Sequence, residues 1–185
     1  MRAEPTPIPG CAYLRLEPLA DTRGSFVKVY QRSVVEAMGL DGTVADFYYS
    51  RSAPGVIRGL HFQCPPHDHA KTVVYIAGSI FDVVVDLRTG SPTFGEHATF
   101  ALEGTAPTAV HVPVGCAHGF QATADDTVVG YLVSTEHEPR HDTGIRWDSA
   151  GIEWPLVRTV VSPRDQSFPR LADLDSPFRY RDDGG

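Results

Sequence analysis

The chain has 185 residues, 42% hydrophobic and 21% charged, a composition that supports one well-buried core and a single domain. Its 16 Lys and Arg are outnumbered by 23 Asp and Glu, and the resulting net charge of −7 excludes a broad basic surface for nucleic acid or anionic lipid. No apolar run reaches the roughly 18 residues of a membrane span, and the opening MRAEPTPIPG lacks the apolar stretch of a secretion signal, so a cytoplasmic protein with no membrane partner is expected.

Short β-branched and aromatic runs recur at residues 12–18, 25–30, 44–50, 55–63, 71–77, 80–87, 95–102, 108–114 and 127–134, separated by turn residues. This spacing predicts an all-β fold, an antiparallel sandwich or jelly roll with short peripheral helices. One helix is legible: Ser33 is placed to cap VVEAM, Glu36 sits at capping-box spacing, and Gly39 is placed to end the helix. Gly78-Ser79 marks a hairpin between KTVVYIA and IFDVVVDL. Within the second of these strands, alternation puts Phe81, Val83, Val85 and Leu87 on one face and Ile80, Asp82, Val84 and Asp86 on the other. The second face is polar enough to line a site. Cys11, Cys64 and Cys116 are odd in number and never form CxxC, which predicts reduced thiols and no zinc knuckle. The tail over 175–185, rich in acidic residues, Pro and Gly, is expected to be loose.

Residues 112–120, VPVGCAHGF, carry Pro113, Gly115 and His118 at PxGxxH spacing, a tight turn that aims an imidazole and is similar to the second signature of the cupin barrels. The first cupin signature needs two histidines and a glutamate. His67 and His69 are present, but AKTVVYIAG after them supplies no carboxylate, so no metal is expected.

GVIRGLHFQ at 55–63, Lys71, GSIFDVVVDLRTGSPTFG at 78–95, VPVGCAHGF, and GIRWDSAGIEWP at 144–155 occur in that order. Together, from DTRGSF at 21–26 to VSPRD at 161–165, they resemble the dTDP-4-dehydrorhamnose 3,5-epimerase family. The resemblance implies a cupin-type jelly roll without metal or cofactor, a homodimer that exchanges an N-terminal strand, and action on a nucleotide-diphosphate 4-keto-6-deoxy sugar. It also implies an isomerase that inverts the carbons next to the C4 ketone.

Such an inversion removes a proton from one face of a carbon and returns one to the other. His61 is a credible base because imidazole as a group titrates near neutrality, and the resemblance gives it that role with Asp165 as its orienting carboxylate. Tyr131 matches the acid on the opposite face, and Lys71 matches the cation beside the ketone oxygen, where charge develops. Arg23, Phe26, Arg58, His118, Asp142, Arg164 and His137 fall at substrate-binding positions, the guanidinium groups being suited to a diphosphate. Asp82 is a candidate partner for His118. Strict alternation sends Arg58 and His61 to opposite faces of one strand, a conflict that a bulge at Gly59 would resolve.

The family pattern is broken at Lys28, where a glutamate is usual, and at Asp46-Phe47-Tyr48, where Gln-x-Asn is usual. His137 stands for a tyrosine and Asp142 for a glutamate. These departures leave open the nucleotide base, whether dTDP, CDP or GDP, and the choice between one inverted carbon and two. A metal-dependent cupin using His67, His69 and His118, or a sugar-nucleotide binding module, are the weaker alternatives.

Overall fold

The structure, a computed structural model, describes residues 1–103 and 107–181. Among them, with strands numbered in chain order, one sheet runs β1 (Arg2–Pro5), β2 (Ala12–Arg15), β10 (Thr108–Val112), β7 (Lys71–Ala77), β12 (Thr127–Val133) and β5 (Asp46–Ser52). The facing sheet runs β13 (Asp142–Gly144), β6 (Val56–Gln63), β11 (Cys116–Ala122), β8 (Ser79–Asp86) and β9 (His97–Glu103), with β14 (Val160–Val161) added parallel to β6. This is a cupin-type jelly-roll barrel. β3 (Pro18–Asp21) and β4 (Gly24–Val27) form a separate two-stranded ribbon.

The barrel interior follows from alternation. Ile80 and Val84 of β8 point inward to Val73, Phe120, Val129 and Tyr131, while Val83, Val85 and Leu87 point outward to Ile145, Ala150 and Phe178. Asp82 shares the inner face and is fully buried. The outer side of the first sheet, through Leu14, Val74 and Ala109, is covered by Met38 and Leu40 at the end of helix α1 (Arg32–Ala37).

The structure revises several local expectations. α1 starts two residues earlier than Ser33 implies: extended Gln31 is its cap residue, and the Gln31 carbonyl takes the first helical N–H bonds, so Ser33 lies inside. Gly39 ends the helix as expected, at φ +74 with its N–H on the Glu36 carbonyl. The single run predicted over 12–18 breaks at Leu16-Glu17 into β2 and β3. Residues 175–181 are anchored rather than loose. Phe178 is buried against Phe62, burial that stabilises by about 1.5–3 kcal/mol, and Thr89 exchanges backbone bonds with Phe178 and Tyr180. The remainder of the predicted tail, 182–185, lies outside the described residues. All three cysteines are free, and no helix of the described residues is long and apolar enough to cross a membrane.

Candidate active site

A cavity of about 490 Å³ opens between the sheets. One wall comes from β5, β7 and β12 through Tyr48, Ser50, Lys71 and Tyr131, and the other from β6, β11 and β13 through Arg58, His61, His118 and Asp142.

Arg58 and His61 reach the cavity together because β6 carries an extra residue. His118 of β11 pairs with His61 and Phe120 pairs with Arg58, so Gly59 and Leu60 both oppose Gly119 alone. His118 and Phe120 are two apart and share a face; the bulge therefore puts Arg58 and His61 on one face as well. Glycine is required here by contact and by backbone: Gly59 sits at φ +131, and a Cβ on it would lie 2.6 Å from the Gly119 Cα.

Asp165 reaches His61 through a short helix, α2 (Pro163–Ser167), packed against β6. The Ser162 hydroxyl accepts from the Asp165 N–H at 3.0 Å, fixing the helix start. The Asp165 carboxylate then lies 2.9 Å from His61 Nε2 and accepts from the Gly59 N–H at 3.1 Å. Burial alone would raise this carboxyl, but His61, the Gly59 N–H and Ser162 together hold it below the usual carboxylate range. A carboxylate on Nε2 assigns the proton to that nitrogen and leaves the lone pair on Nδ1.

Tyr131 enters from the opposite sheet. It is buried, stacks on Tyr48 at 4.9 Å, meets the His118 ring edge at 6.3 Å, and shares a 3.1 Å hydrogen bond with the Ser50 hydroxyl. Burial raises its phenol well above the ordinary tyrosine range despite the bond to Ser50, so it stays protonated at physiological pH. Lys71 is also buried, and its ammonium donates to the His61 carbonyl at 3.2 Å. Burial lowers it to about 8, with Asp142 opposing that shift. His118 Nε2 lies 2.6 Å from Asp82 Oδ1, so the first acidic residue of β8 serves an imidazole.

Asp142 lines the cavity and binds Arg164 at 2.7 Å. Arg164 lies just outside, its guanidinium also stacked over Phe168. His137 lines the rim, 3.9 Å from the Asp142 carboxylate. Arg23 and Phe26 do not line this cavity. They sit exposed on the β3–β4 ribbon, where Arg23 is held by Asp21.

Sequence reasoning missed Ser50 and Gln63, and weighed His69 only as a metal ligand. Gln63 Oε1 accepts from the Glu138 N–H at 2.7 Å, which turns its amide nitrogen to the His67 carbonyl and to His69 Nδ1. Burial pushes His69 down to about 3, helped by Lys71. It remains a neutral wall residue. The His67 ring lies tilted at 42° to the His141 ring, centroids 4.5 Å apart. Among the described residues no cluster of His, Cys, Asp and Glu is arranged to hold a metal ion. Because the segment after His67 and His69, AKTVVYIAG, supplies no carboxylate, activity is expected to survive exhaustive dialysis against a chelator; loss that one divalent ion restores would contradict this.

An interior cavity with a histidine–carboxylate pair on one wall and a buried phenol on the other defines a cupin-type barrel equipped for proton transfer. The profile of the dTDP-4-dehydrorhamnose 3,5-epimerase family matches residues 5–173. A dTDP-4-dehydrorhamnose 3,5-epimerase of Sinorhizobium fredii is 37% identical over 90% of this chain and 88% of its own. A dTDP-4-dehydrorhamnose 3-epimerase of Streptomyces niveus is 38% identical over 94% and 85%. The crystal structure of dTDP-6-deoxy-D-glucose-3,5-epimerase from Legionella pneumophila, in complex with dTDP-4-keto-L-rhamnose, superposes with a TM-score of 0.91 at 31% identity, covering 97% of this chain and 98% of that one. The chain belongs to the dTDP-4-dehydrorhamnose 3,5-epimerase family, and it is an isomerase, a carbohydrate epimerase.

Proposed function

We propose that the protein inverts both carbons flanking the ketone of a dTDP-linked 4-keto-6-deoxy sugar, with His61 as base and Tyr131 as acid. The observation that carries this reading is the placement of the His61–Asp165 pair and of Tyr131 on opposite sheets around one cavity. A planar enolate held between them loses its proton to one wall and regains one from the other, and that is inversion.

His61 takes the substrate proton on Nδ1, and Asp165 stabilises the imidazolium that results. Negative charge moves to the ketone oxygen. The Lys71 ammonium lies beside the base in a buried setting where a fixed donor is worth far more than in water. His118, held by Asp82, is the second group placed to meet this oxygen. Tyr131 then delivers its phenolic proton to the far face of the carbon. Arg58, anchored by the Ser52 hydroxyl at 3.0 Å, and Arg164 supply the local positive charge for the diphosphate. His137 and Asp142 line the same cavity, and both are assigned to substrate contact.

Arg23 and Phe26 serve the same substrate from a second copy of the chain. The exposed β3–β4 ribbon that carries them, with Leu19 also exposed, fits the exchanged arm of a homodimer.

Tyr131→Phe tests the division of labour. It is expected to slow formation of inverted product by at least tenfold more than it slows exchange of the substrate proton with solvent, because His61 still works. An equal loss of both rates would make Tyr131 a packing residue.

A further inference from the structure

Tyr131 lines the cavity yet is almost wholly buried, so the phenolate left once it has given up its proton meets few polar groups. The Ser50 hydroxyl, 3.1 Å from Tyr131 Oη, is the polar group that meets it. Ser50 is half-buried and lines the cavity, so it touches the phenol on one side and the open space on the other. Its placement is set by the β5 pattern. Asp46, Tyr48, Ser50 and Ser52 alternate with Phe47, Tyr49 and Arg51; the first three of the inward set line the cavity and the fourth holds Arg58. The register pairs Tyr131 with Tyr48 and Val129 with Ser50, which leaves the Ser50 side chain diagonal to the Tyr131 ring while Tyr48 stacks on it.

We propose that Ser50 is the positioning residue for the acid step: it holds the Tyr131 hydroxyl in line with the substrate carbon and returns a proton to the phenolate after each inversion. When the O–H bond of Tyr131 breaks, its proton forms the new C–H bond and the electron pair of the enolate becomes that bond. The phenolate left behind accepts the Ser50 proton, and Ser50 takes one from water in the cavity. One solvent proton enters through Ser50 for each one that leaves through His61, so the cycle balances and the enzyme returns to its starting state. A hydroxyl suits this role because it donates and accepts at once.

The inference rests on Tyr131 being the acid, and the test separates the two. Wild type, Tyr131→Phe, Ser50→Ala and Ser50→Thr are compared in D₂O with a dTDP-linked 4-keto-6-deoxy sugar, following both deuterium exchange into unreacted substrate and appearance of inverted product by NMR. Ser50→Ala is expected to lower the rate of inverted product about tenfold or more, with exchange through His61 and the affinity for dTDP within about twofold of wild type. Ser50→Thr, which keeps the hydroxyl, is expected to recover most of the loss. A Ser50→Ala protein whose inversion and exchange fall together, or whose inversion is unchanged, overturns the role of Ser50. If Tyr131→Phe itself fails to separate inversion from exchange, the acid assignment falls and the Ser50 role falls with it.

Discussion

His61→Asn is expected to lower exchange of the substrate proton by at least 10²-fold, within the 10²- to 10⁴-fold range that a positioned general base supplies, while leaving the barrel intact. His61 is half-buried and the amide replaces only the imidazole, so the bonds that hold Asp165 to Gly59 and Ser162 persist. Asp165→Asn makes a more particular prediction. Its side-chain oxygen still accepts from the Gly59 N–H, which turns the amide NH₂ toward His61 Nε2. That nitrogen then becomes an acceptor, the ring proton moves to Nδ1, and the basic lone pair is lost although the imidazole remains. The expected defect is smaller than that of His61→Asn but still large, because the imidazole is present in the wrong tautomer. Stopped exchange measured in D₂O reports both. Full exchange in the His61→Asn protein would place the base elsewhere.

Lys71→Met is expected to cost about 10²- to 10³-fold in kcat, the loss typical of removing one preorganised donor from a developing oxyanion. The pH profile adds a second signature. A lysine held at about 8 by burial is an ammonium below that pH and loses its charge as pH rises through it. Because the charged form stabilises the enolate, kcat/KM of wild type should fall above pH 8, the free-enzyme value that this ratio reports. The Lys71→Met enzyme should lack that alkaline limb. A wild-type profile level to pH 10 would show that the ammonium does not take part.

The strands were legible because β-branched runs and alternation report a half-buried sheet directly, and β8 is the clearest case: its two faces pack as the residue pattern implies. The joint placement of Arg58 and His61 was legible only as a conflict that Gly59 could relieve. Asp165 was found by resemblance, yet its helix had a local signal in Ser162, Pro163 at the first helical turn and Asp165 three residues after the cap. Ser50, Gln63 and the Gln63–His69 contact escaped for a physical reason. Each contributes through partners 81, 75 or 6 residues away, fixed by strand register and side-chain orientation that no single stretch encodes. Residues 175–181 misled because their composition is that of a loose segment, whereas Phe178 is buried, Arg88 lies over the Tyr180 ring, and Thr89 bonds the backbone of both.

His137 lies at the cavity rim within reach of Asp142, and its imidazole stands where the family commonly has a tyrosine. The relatives include enzymes named for inversion at two carbons and one named for inversion at one. His61, Lys71 and Tyr131 line one cavity with Asp165 bonded to His61, and under the proposed mechanism this set would serve C3 and C5 alike when the ring presents each proton to the same base. Running the reaction to equilibrium in D₂O and reading the sugar by NMR tests this most directly. The account predicts deuterium at both C3 and C5 of an inverted product. Deuterium at one carbon alone would contradict double inversion, and no deuterium at either carbon would contradict proton transfer through this site altogether.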